Sequence, residues 1–338
     1  MATIKDVAKL AQVSVSTVSR VINNSSAVVP EKRDAVVKAM SDLNYKPNTL
    51  ARALVSNKSD CIGLLVGELG SAFFSQMMEG IDDVIIKAGK HVIITSGYHN
   101  EKLEKEAIDF LLERRCDGLI VHSKAVSDEV LQQLAKGDTP VVFINRLVPG
   151  LEDRCIYLDN SHGAYMATRH LIARGHKDIA FVCTSLTDVA DGQDRLAGYQ
   201  RALEEAGLTF NEDLVARGFP NEEGGNYAIG EILSRKQPFT AVFGYNDQMA
   251  AGVINMLEDS GVSVPEQVSV VGFDDIVIAK YLRPKLTTIR YPINEMGAVA
   301  ARNILHQIEP DNHGQVATPL RFTPRLIERH SVFDLSAR

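Results

Sequence analysis

The sequence predicts a small all-α domain at the N-terminus, followed by a larger α/β body with parallel sheets that is divided into two lobes. Apolar residues recur at the three-and-four spacing of helices through the first 43 residues. From Cys61 onward, continuous apolar runs alternate with amphipathic segments, which is typical of parallel sheets covered by helices. The chain has 338 residues, 45% of them hydrophobic, and can therefore bury more than one core.

The N-terminal domain is predicted over residues 1–46 and contains three helices. Thr3 can cap the first helix, and Ser14 can cap the second, a short helix over residues 15–22. The third extends over about 30–43. The inward-facing positions of the three helices are Ile4, Val7, Ala8, Ala11, Val18, Val21, Ile22, Ala35, Val36, Ala39, Met40 and Leu43. Two short helices with a tight turn, closed by a supporting helix, form a helix-turn-helix.

Charge is distributed unevenly along the chain. The net charge is −7 in total, but residues 1–59 carry nine Lys and Arg against four Asp and Glu, or +5, which leaves −12 for residues 60–338. A basic head on an acidic body suits a nucleic-acid partner, because the local Lys and Arg set the affinity for phosphates and the chain average does not.

The polar face of the second helix is predicted to lie in the major groove of DNA. Val15 can contact a thymine methyl, Ser16 can hydrogen-bond to a base edge, and Arg20 can bind a guanine bidentately. The candidates for phosphate contacts are Thr3, Thr17 and Ser19. The alternative is a small helical domain for protein interaction. The basic charge and the polar second helix occur together, which favours DNA.

Several stretches of the chain resemble one family of bacterial regulators. The stretches Ala2-Thr3-Ile4-Lys5-Asp6-Val7-Ala8, Val13-Ser14 and Thr17-Val18-Ser19-Arg20-Val21-Ile22-Asn23 resemble the headpiece of the lactose and galactose repressor family (LacI/GalR type). The resemblance continues through the whole chain. It is closest to the galactose operon repressors and isorepressors at Gly97-Tyr98-His99-Asn100-Glu101, Val142-Phe143-Ile144-Asn145-Arg146 and Ile289-Arg290-Tyr291-Pro292. The resemblance implies that Ser14 and Asn23 also belong to the DNA-binding residues.

Residues 47–60 are predicted to form a hinge helix and linker. The turn residues of Asn44-Tyr45-Lys46-Pro47-Asn48 end the third helix. Residues 49–55 have helical propensity but are too few to be stable alone, so this helix folds only when something packs against it. By resemblance it is the family's hinge helix, in which Leu54 enters the minor groove as an apolar wedge and Tyr45 and Arg52 help to hold it there. A plain linker is the alternative, and it is the expectation for residues 55–60.

The body is predicted over residues 61–338. Its strand runs are 61–67, 91–96, 118–122, 141–145, 178–183, 240–245 and 268–273. Lobe one is expected to contain about 61–160 and 291–320, and lobe two about 161–290 and 321–338. This layout resembles the periplasmic sugar-binding proteins, in which a ligand closes a cleft between two lobes.

Ligands of such sheets bind outside the carboxyl ends of the strands, so residues that end a strand or open the next helix are the candidates. The predicted effector-binding residues are Phe73, Phe74, His122, Asn145, Asp159, Arg195, Asn246 and Asp274. The aromatic rings can stack on a sugar, and the polar groups can exchange hydrogen bonds with its hydroxyls. These positions match the family's effector contacts by resemblance. Alternatively, one phenylalanine is a core or lobe-interface residue, His122 is a structural histidine and Asp159 caps a helix.

The sequence carries no motif of an enzyme. It lacks a nucleophile elbow, a phosphate-binding loop, a zinc-peptidase motif and a dinucleotide-binding motif. The cysteines stand far apart, which favours reduced thiols over a metal site or disulfides: they are Cys61, Cys116, Cys155 and Cys183. There is no apolar run of about 18 residues and no signal peptide at the start. We therefore expect a cytoplasmic protein without catalytic residues, metal, cofactor or membrane contact.

The predicted function is that of a sequence-specific DNA-binding repressor of sugar-utilisation genes. We expect a homodimer on a palindromic operator, because two headpieces that match a symmetric site require two chains. A small-molecule effector, D-galactose by the resemblance, is expected to release the protein from DNA. The alternatives are a LacI-type regulator of another hexose and a corepressor-dependent purine-type repressor. A sugar transport protein or a sugar-modifying enzyme explains less, because neither needs a basic helix-turn-helix.

Overall fold

The computed structural model describes residues 2–22, 27–45, 59–186, 189–313, 316, 318 and 320–337. The chain divides into two compact units, Met1–Ser59 and Asp60–Arg338. Each unit has its own hydrophobic core. The predicted hinge, residues 47–60, lies almost entirely outside the described residues, so its helix stays a prediction.

Three helices form the first unit: α1 (Ile4–Leu10), α2 (Val15–Ile22) and α3 (Pro30–Asp42). Val7, Val18 and Val36, one from each helix, are fully buried between them. A tight turn joins α1 to α2, in which Gln12 has a left-handed φ of 52° and the N–H of Val13 donates back to the last turns of α1. The predicted helix-turn-helix with a supporting helix is confirmed.

Lobe one of the body is a six-stranded sheet with helices on both faces. Its strand order is β11-β5-β4-β3-β1-β2, and every pair is parallel. The strands are β1 (Cys61–Val66), β2 (His91–Ser96), β3 (Gly118–Val121), β4 (Val141–Ile144), β5 (Cys155–Leu158) and β11 (Arg321–Phe322). The helices are α4 (Ala72–Lys87), α5 (Glu101–Glu113), α6 (Asp128–Leu134) and α12 (Ile293–Ile308). The central strands are buried on both faces, and for that reason their sequences are continuous apolar runs.

Lobe two repeats this architecture. Its strand order is β12-β10-β9-β8-β6-β7, with β12 antiparallel to β10 and the other pairs parallel. The strands are β6 (Ile179–Thr184), β7 (Val215–Gly218), β8 (Ala241–Gly244), β9 (Ser269–Asp274), β10 (Thr287–Arg290) and β12 (Arg325–Ile327). The helices are α7 (Asn160–Ala173), α8 (Ala190–Glu205), α9 (Glu222–Ser234), α10 (Asp247–Asp259) and α11 (Val277–Tyr281). The short helix α13 (Pro310–His313) follows α12. The predicted pair of parallel α/β lobes is confirmed.

In the described part of the chain, three segments pass between the lobes: β5 to α7, β10 to α12, and β11 to β12. Because β11 pairs in parallel with β5, the chain leaves lobe one after residue 322, close to the expected position of about residue 320. Five strands were not predicted, namely β5, β7, β10, β11 and β12. They are short, and several contain arginines, so they form no long apolar run.

The four cysteines are free thiols, three of them buried and Cys61 half-buried. Burial raises the pKa of Cys116, Cys155 and Cys183 to about 11, so these thiols stay protonated near neutral pH. No helix of the described residues is both long and apolar enough to cross a membrane.

Candidate functional site

The candidate effector site is the cleft between the two lobes, at the carboxyl ends of their central strands. Its lining consists of Glu68, Ser71, Phe73, Phe74, His99, Lys124, Asn145, Leu186, Asp191, Arg195, Pro220, Tyr245, Asn246, Gln248 and Asp274. The lining includes six of the eight predicted effector residues. The cavity volume is about 60 Å³, which is room for a few water molecules. A hexose is larger, so it enters only if the lobes or these side chains move.

Arg195 lies at the centre of the cleft, on α8, and is 3% exposed. Its Nε donates to Oδ1 of Asn160 at 3.0 Å, and one Nη donates to the carbonyl of Tyr245 at 2.5 Å. The guanidinium carbon lies 3.7 Å from the ring centroid of Phe273. The other Nη is 3.7 Å from Oδ1 of Asp274, too far for a hydrogen bond. The guanidinium is thus held in one orientation, and this Nη is available to donate to a ligand.

Asp274 ends β9 and provides an acceptor beside Arg195. Its φ of 113° is rare for a residue with a side chain, and strain of this kind occurs at functional positions. Burial raises the pKa of Asp274 to about 7 in spite of the Arg195 charge. Its Oδ1 has no hydrogen-bond partner among the described residues and can accept one from a ligand. The adjacent Asp275 instead forms ion pairs with Arg290 and Arg329 and does not line the cleft.

Two asparagines present amide groups from opposite lobes. In lobe two, Asn246 caps α10, because its Oδ1 accepts from the N–H of Met249 at 2.7 Å, and its Nδ2 donates to a backbone carbonyl at 3.0 Å. In lobe one, Asn145 follows β4 with a left-handed φ of 58°. Its Oδ1 accepts from the hydroxyl of Tyr291, and its Nδ2 is 3.1 Å from Nε2 of His122. These contacts fix both amides, and each has hydrogen-bonding capacity left for a ligand.

An ion pair that was not predicted crosses the cleft. Lys124, in the loop after β3, contacts Oδ2 of Asp191 near the start of α8, and the two side chains are 13% and 6% exposed. The hydroxyl of Tyr245 donates to the same oxygen at 2.9 Å. Burial alone would raise the pKa of Asp191, but the charges of Lys124 and Arg195 hold it well below its usual range. Asp191 is therefore ionised, and its Oδ1 has no hydrogen-bond partner in the described part of the chain.

Glu104 fixes the loop that carries Lys124. This buried carboxylate on α5 accepts from the hydroxyl of Ser123 at 2.5 Å. It also accepts from the backbone N–H groups of Lys124, Ala125 and Val126, at 3.2, 3.0 and 3.1 Å. Four donors to one carboxylate hold the loop firmly in lobe one. Lys124 therefore reaches the facing acid only when the lobes are close together.

The aromatic residues form the lobe-one wall of the cleft. Phe73 and Phe74, at the start of α4, pack edge to face with their ring centroids 5.3 Å apart. Phe73 contacts Tyr291 and Phe74 contacts His122, with centroids 5.2 and 4.8 Å apart. His122 lies behind Phe74, is 1% exposed and does not line the cleft, and its Nδ1 has no hydrogen-bond partner among the described residues. Burial lowers the pKa of His99 to about 4, so its ring is neutral.

Asp159 also lies outside the cleft lining. Its Oδ1 accepts from the N–H of His162 at 3.0 Å and so caps α7, and its Oδ2 forms an ion pair with Arg321 at 2.5 Å. It lines a second opening between the lobes, about 600 Å³ in volume, that shares Lys124, Asn145 and Asp191 with the first. The geometry favours the helix-capping interpretation of Asp159.

Two of the missed residues had a signal in the sequence. Asp191 precedes Arg195 by four residues and lies on the same face of α8. Tyr245 directly precedes Asn246 at the end of β8. No sequence pattern indicates that Lys124 and Asp191 meet, because they belong to different lobes.

The head presents the polar side of α2 to solvent. Val15 is 41% exposed, Ser16 and Arg20 are exposed, and Thr17 and Ser19 are half-buried. The predicted capping by Ser14 is present, because its Oγ accepts from the N–H of Thr17 at 3.1 Å. The same Oγ lies 2.7 Å from the hydroxyl oxygen of Ser16.

Thr3 and Tyr45 have structural partners. Thr3 forms a capping box with Asp6, whose carboxylate accepts from the N–H and the hydroxyl of Thr3 at 2.8 and 2.7 Å. Tyr45 is half-buried against the core of the head. The other predicted DNA contacts, Asn23, Arg52 and Leu54, lie outside the described residues.

The two units together define a class of protein. A helix-turn-helix with an exposed polar helix shares one chain with a two-lobed body that contains a polar cleft. This is the architecture of a ligand-responsive, DNA-binding transcription regulator. Residues 3–48 match the model for bacterial regulatory proteins of the lacI family, and residues 168–332 match a periplasmic binding protein-like domain.

Similar proteins cover nearly the whole chain. The HTH-type transcriptional regulator GalR of Escherichia coli (strain K12) is 46% identical over 332 residues, which cover 98% of this chain and 96% of the relative. GalS of Salmonella typhimurium (strain LT2) is 44% identical over 332 residues, with 98% and 97% covered. The lac repressor dimer bound to operator and the anti-inducer ONPF aligns with a TM-score of 0.85 at 28% identity, covering 98% and 99%.

The chain therefore belongs to the lacI family. The prediction that the chain is a DNA-binding, sugar-responsive transcriptional repressor is confirmed. These relatives are transcription regulators, so the prediction that the chain is not an enzyme is also confirmed.

Proposed function

We propose that D-galactose is the effector, and that the protein represses galactose-utilisation genes as a cytoplasmic homodimer on a palindromic operator. Galactose binds between the lobes, and the protein then leaves the operator. The similarity to GalR and GalS supports this choice of sugar. The chemistry of the cleft supports a ligand of this class.

The observation that carries the proposal is the buried pair formed by Arg195 and Asp274. An Nη of Arg195 and Oδ1 of Asp274 lie 3.7 Å apart, which is too far for a hydrogen bond. The donor and the acceptor can therefore each bind one of two neighbouring hydroxyls of a sugar. The cleft lining holds two cations, Lys124 and Arg195, and three acids, Glu68, Asp191 and Asp274, so it has no excess of positive charge. This composition favours a neutral ligand over an anionic one.

A galactose in the cleft would contact both lobes. Asn145 belongs to lobe one, whereas Arg195, Asn246 and Asp274 belong to lobe two. The affinity for galactose then depends on how the lobes are arranged, and galactose binding shifts the population toward the arrangement that binds it better. A coupling free energy of about 1–3 kcal/mol between effector and DNA is typical of such proteins.

The head supplies the DNA-binding half of the proposal. Val15, Ser16 and Arg20 are exposed on α2 and are proposed to contact base edges. Thr17 and Ser19, which are half-buried, are proposed to contact phosphates. Two heads on a symmetric operator require a dimer.

The test uses the full-length protein and two measurements. Calorimetric titration with D-galactose, D-glucose and hypoxanthine identifies the ligand, and fluorescence anisotropy with labelled operator duplexes measures DNA affinity. We expect D-galactose to saturate one site per chain and to weaken operator binding by about 5- to 150-fold. The Arg195→Met variant should lose galactose binding and keep operator binding, which also shows that it is folded. Hypoxanthine binding that tightens the operator complex would instead establish the corepressor alternative.

A further inference from the structure

A third opening, a groove, lies where the chain makes its last two passages between the lobes, and it shares Arg321 with the opening that Asp159 lines. Its lining consists of Arg290, Pro292, Glu295, Arg321, Phe322, Thr323 and Arg325, and its volume is about 550 Å³. It shares no lining residue with the effector cleft. Three arginines and one glutamate line it, although the body as a whole carries a net charge of −12.

Two of these arginines lie directly opposite each other. Arg290 on β10 pairs with Arg325 on β12 in the antiparallel register, so the two side chains leave the sheet on the same face. Like charges at directly opposed positions destabilise a strand pair. Arg325 is exposed and forms no ion pair within the described part of the chain. Its positive charge is therefore uncompensated.

The acids nearby do not neutralise the groove. Arg290 forms an ion pair with Asp275, but the same carboxylate also binds Arg329, at 2.5 Å. Arg321 forms an ion pair with Asp159 and is still 63% exposed. The remaining acid in the lining is Glu295, which is exposed. An anion that enters the groove thus meets an excess of guanidinium groups.

We propose that this groove binds a small phosphate monoester, such as a phosphorylated sugar. Guanidinium forks bind phosphate oxygens bidentately, and a dianion would relieve the repulsion between Arg290 and Arg325. Thr323, which is exposed, and Phe322, which is buried at 7% exposure, line the groove beside the arginines. They provide a polar and an apolar contact for the organic part of the ester, for which a volume of about 550 Å³ leaves room.

The groove is built from both lobes, so binding of an anion can affect how the lobes are arranged. Arg290 and Arg325 stand on strands of lobe two, whereas Arg321 on β11 and Glu295 on α12 belong to lobe one. A phosphate ester that bridges them binds one lobe arrangement better than another. Binding of the ester therefore changes the affinity of the effector cleft for sugar. This coupling between the two sites rests on the proposed function.

The first experiment measures binding alone. The full-length protein is titrated calorimetrically with glucose 6-phosphate, inorganic phosphate and D-glucose at constant ionic strength. We expect saturable binding of glucose 6-phosphate, and about tenfold weaker binding in Arg325→Gln, because hydrogen bonds to charged groups contribute this much. The matched control is Arg302→Gln, which removes an exposed arginine of α12 outside the groove and should bind within about twofold of the unaltered protein.

Three outcomes would overturn the proposal. Saturable binding could be absent, or Arg302→Gln could weaken it as much as Arg325→Gln does, which would indicate non-specific attraction. Inorganic phosphate could bind as tightly as the ester, which would make free phosphate the ligand and remove the monoester from the proposal.

The second experiment measures coupling by titrating D-galactose with and without saturating glucose 6-phosphate. A changed galactose affinity in the unaltered protein, absent in Arg325→Gln, is the expected result. An unchanged affinity would overturn the bridging of the lobes. If galactose fails to bind at all while glucose 6-phosphate binds, the proposed effector is wrong and the phosphate site stands.

Discussion

Replacement of Lys124 by methionine should test whether the ion pair across the cleft holds the lobes together. Lys124→Met keeps the length and the apolar stem of the side chain and removes the charge. Asp191 would then remain 6% exposed, with the hydroxyl of Tyr245 but without its cation. The pKa of Asp191, which Lys124 and Arg195 hold well below its usual range, should rise.

The magnitude follows from burial. Removal of one partner from a buried ion pair costs about 3–5 kcal/mol, because the other charge stays buried without compensation. Lys124 is 13% exposed and Asp191 keeps one hydrogen bond, so we expect a loss near the lower end, about 3 kcal/mol in the free energy of unfolding of the body. The matched control is Lys87→Met, which breaks an exposed pair with Asp83 in which both side chains are 74% exposed. This control should change stability by less than about 0.5 kcal/mol.

Equilibrium urea unfolding at pH 7.5, followed by circular dichroism, measures both variants. The double variant Lys124→Met/Asp191→Leu should recover most of the loss, because a buried pair replaced by apolar side chains is often neutral. If Lys124→Met is as stable as Lys87→Met, or if the double variant is no better than the single one, the pair does not hold the lobes together and the reasoning is refuted.

Three further predictions concern the cleft, the loop and the head. Burial raises the pKa of Asp274 to about 7, so its carboxylate form, which accepts hydroxyl donors, increases as pH rises from 6 to 8. Galactose affinity measured by calorimetry should increase over that range and become pH-independent in Asp274→Asn; an unaltered slope would exclude Asp274 as the titrating group. Glu104→Gln should lower the free energy of unfolding of the body by about 1–3 kcal/mol in urea, because an amide has one acceptor oxygen for the four donors that the carboxylate binds. A variant as stable as the unaltered protein would show that Glu104 does not fix the loop that carries Lys124. Arg20→Gln should weaken operator binding in anisotropy by about 1–3 kcal/mol and relax base preference at one position, whereas uniform weakening across all duplexes would show that Arg20 contacts a phosphate.

The head and the central strands were predictable because their signals are local. The valines at helical spacing in α1, α2 and α3 meet in one core without help from distant residues. Central strands such as β1 and β9 are buried on both faces and are apolar throughout. By contrast, β7 has the sequence Val-Ala-Arg-Gly, and β12 begins with an arginine. They lie at sheet edges, where one side of the strand needs no partner and charged residues are tolerated.

Only part of the cleft was predictable. The end of a strand identifies the edge of the sheet at which a residue lies, but it does not give the direction of the side chain. Arg195, Asn246 and Asp274 do line the cleft. His122 ends a strand at the same edge but lies behind Phe74. Lys124 also follows a strand, but its importance depends on the position of the other lobe, which no local pattern contains.

Lobe one is not encoded by one continuous stretch of the chain, since its sheet includes β11 and its helical layer includes α12. During synthesis, the head can fold once its helices have left the ribosome, whereas the sensor must wait until residue 322 is available to complete the sheet. A message cut short before that codon would yield a DNA reader whose sensor is unfinished. Deletion of the residues from 322 onward should therefore impair the response to sugar more than it impairs the head.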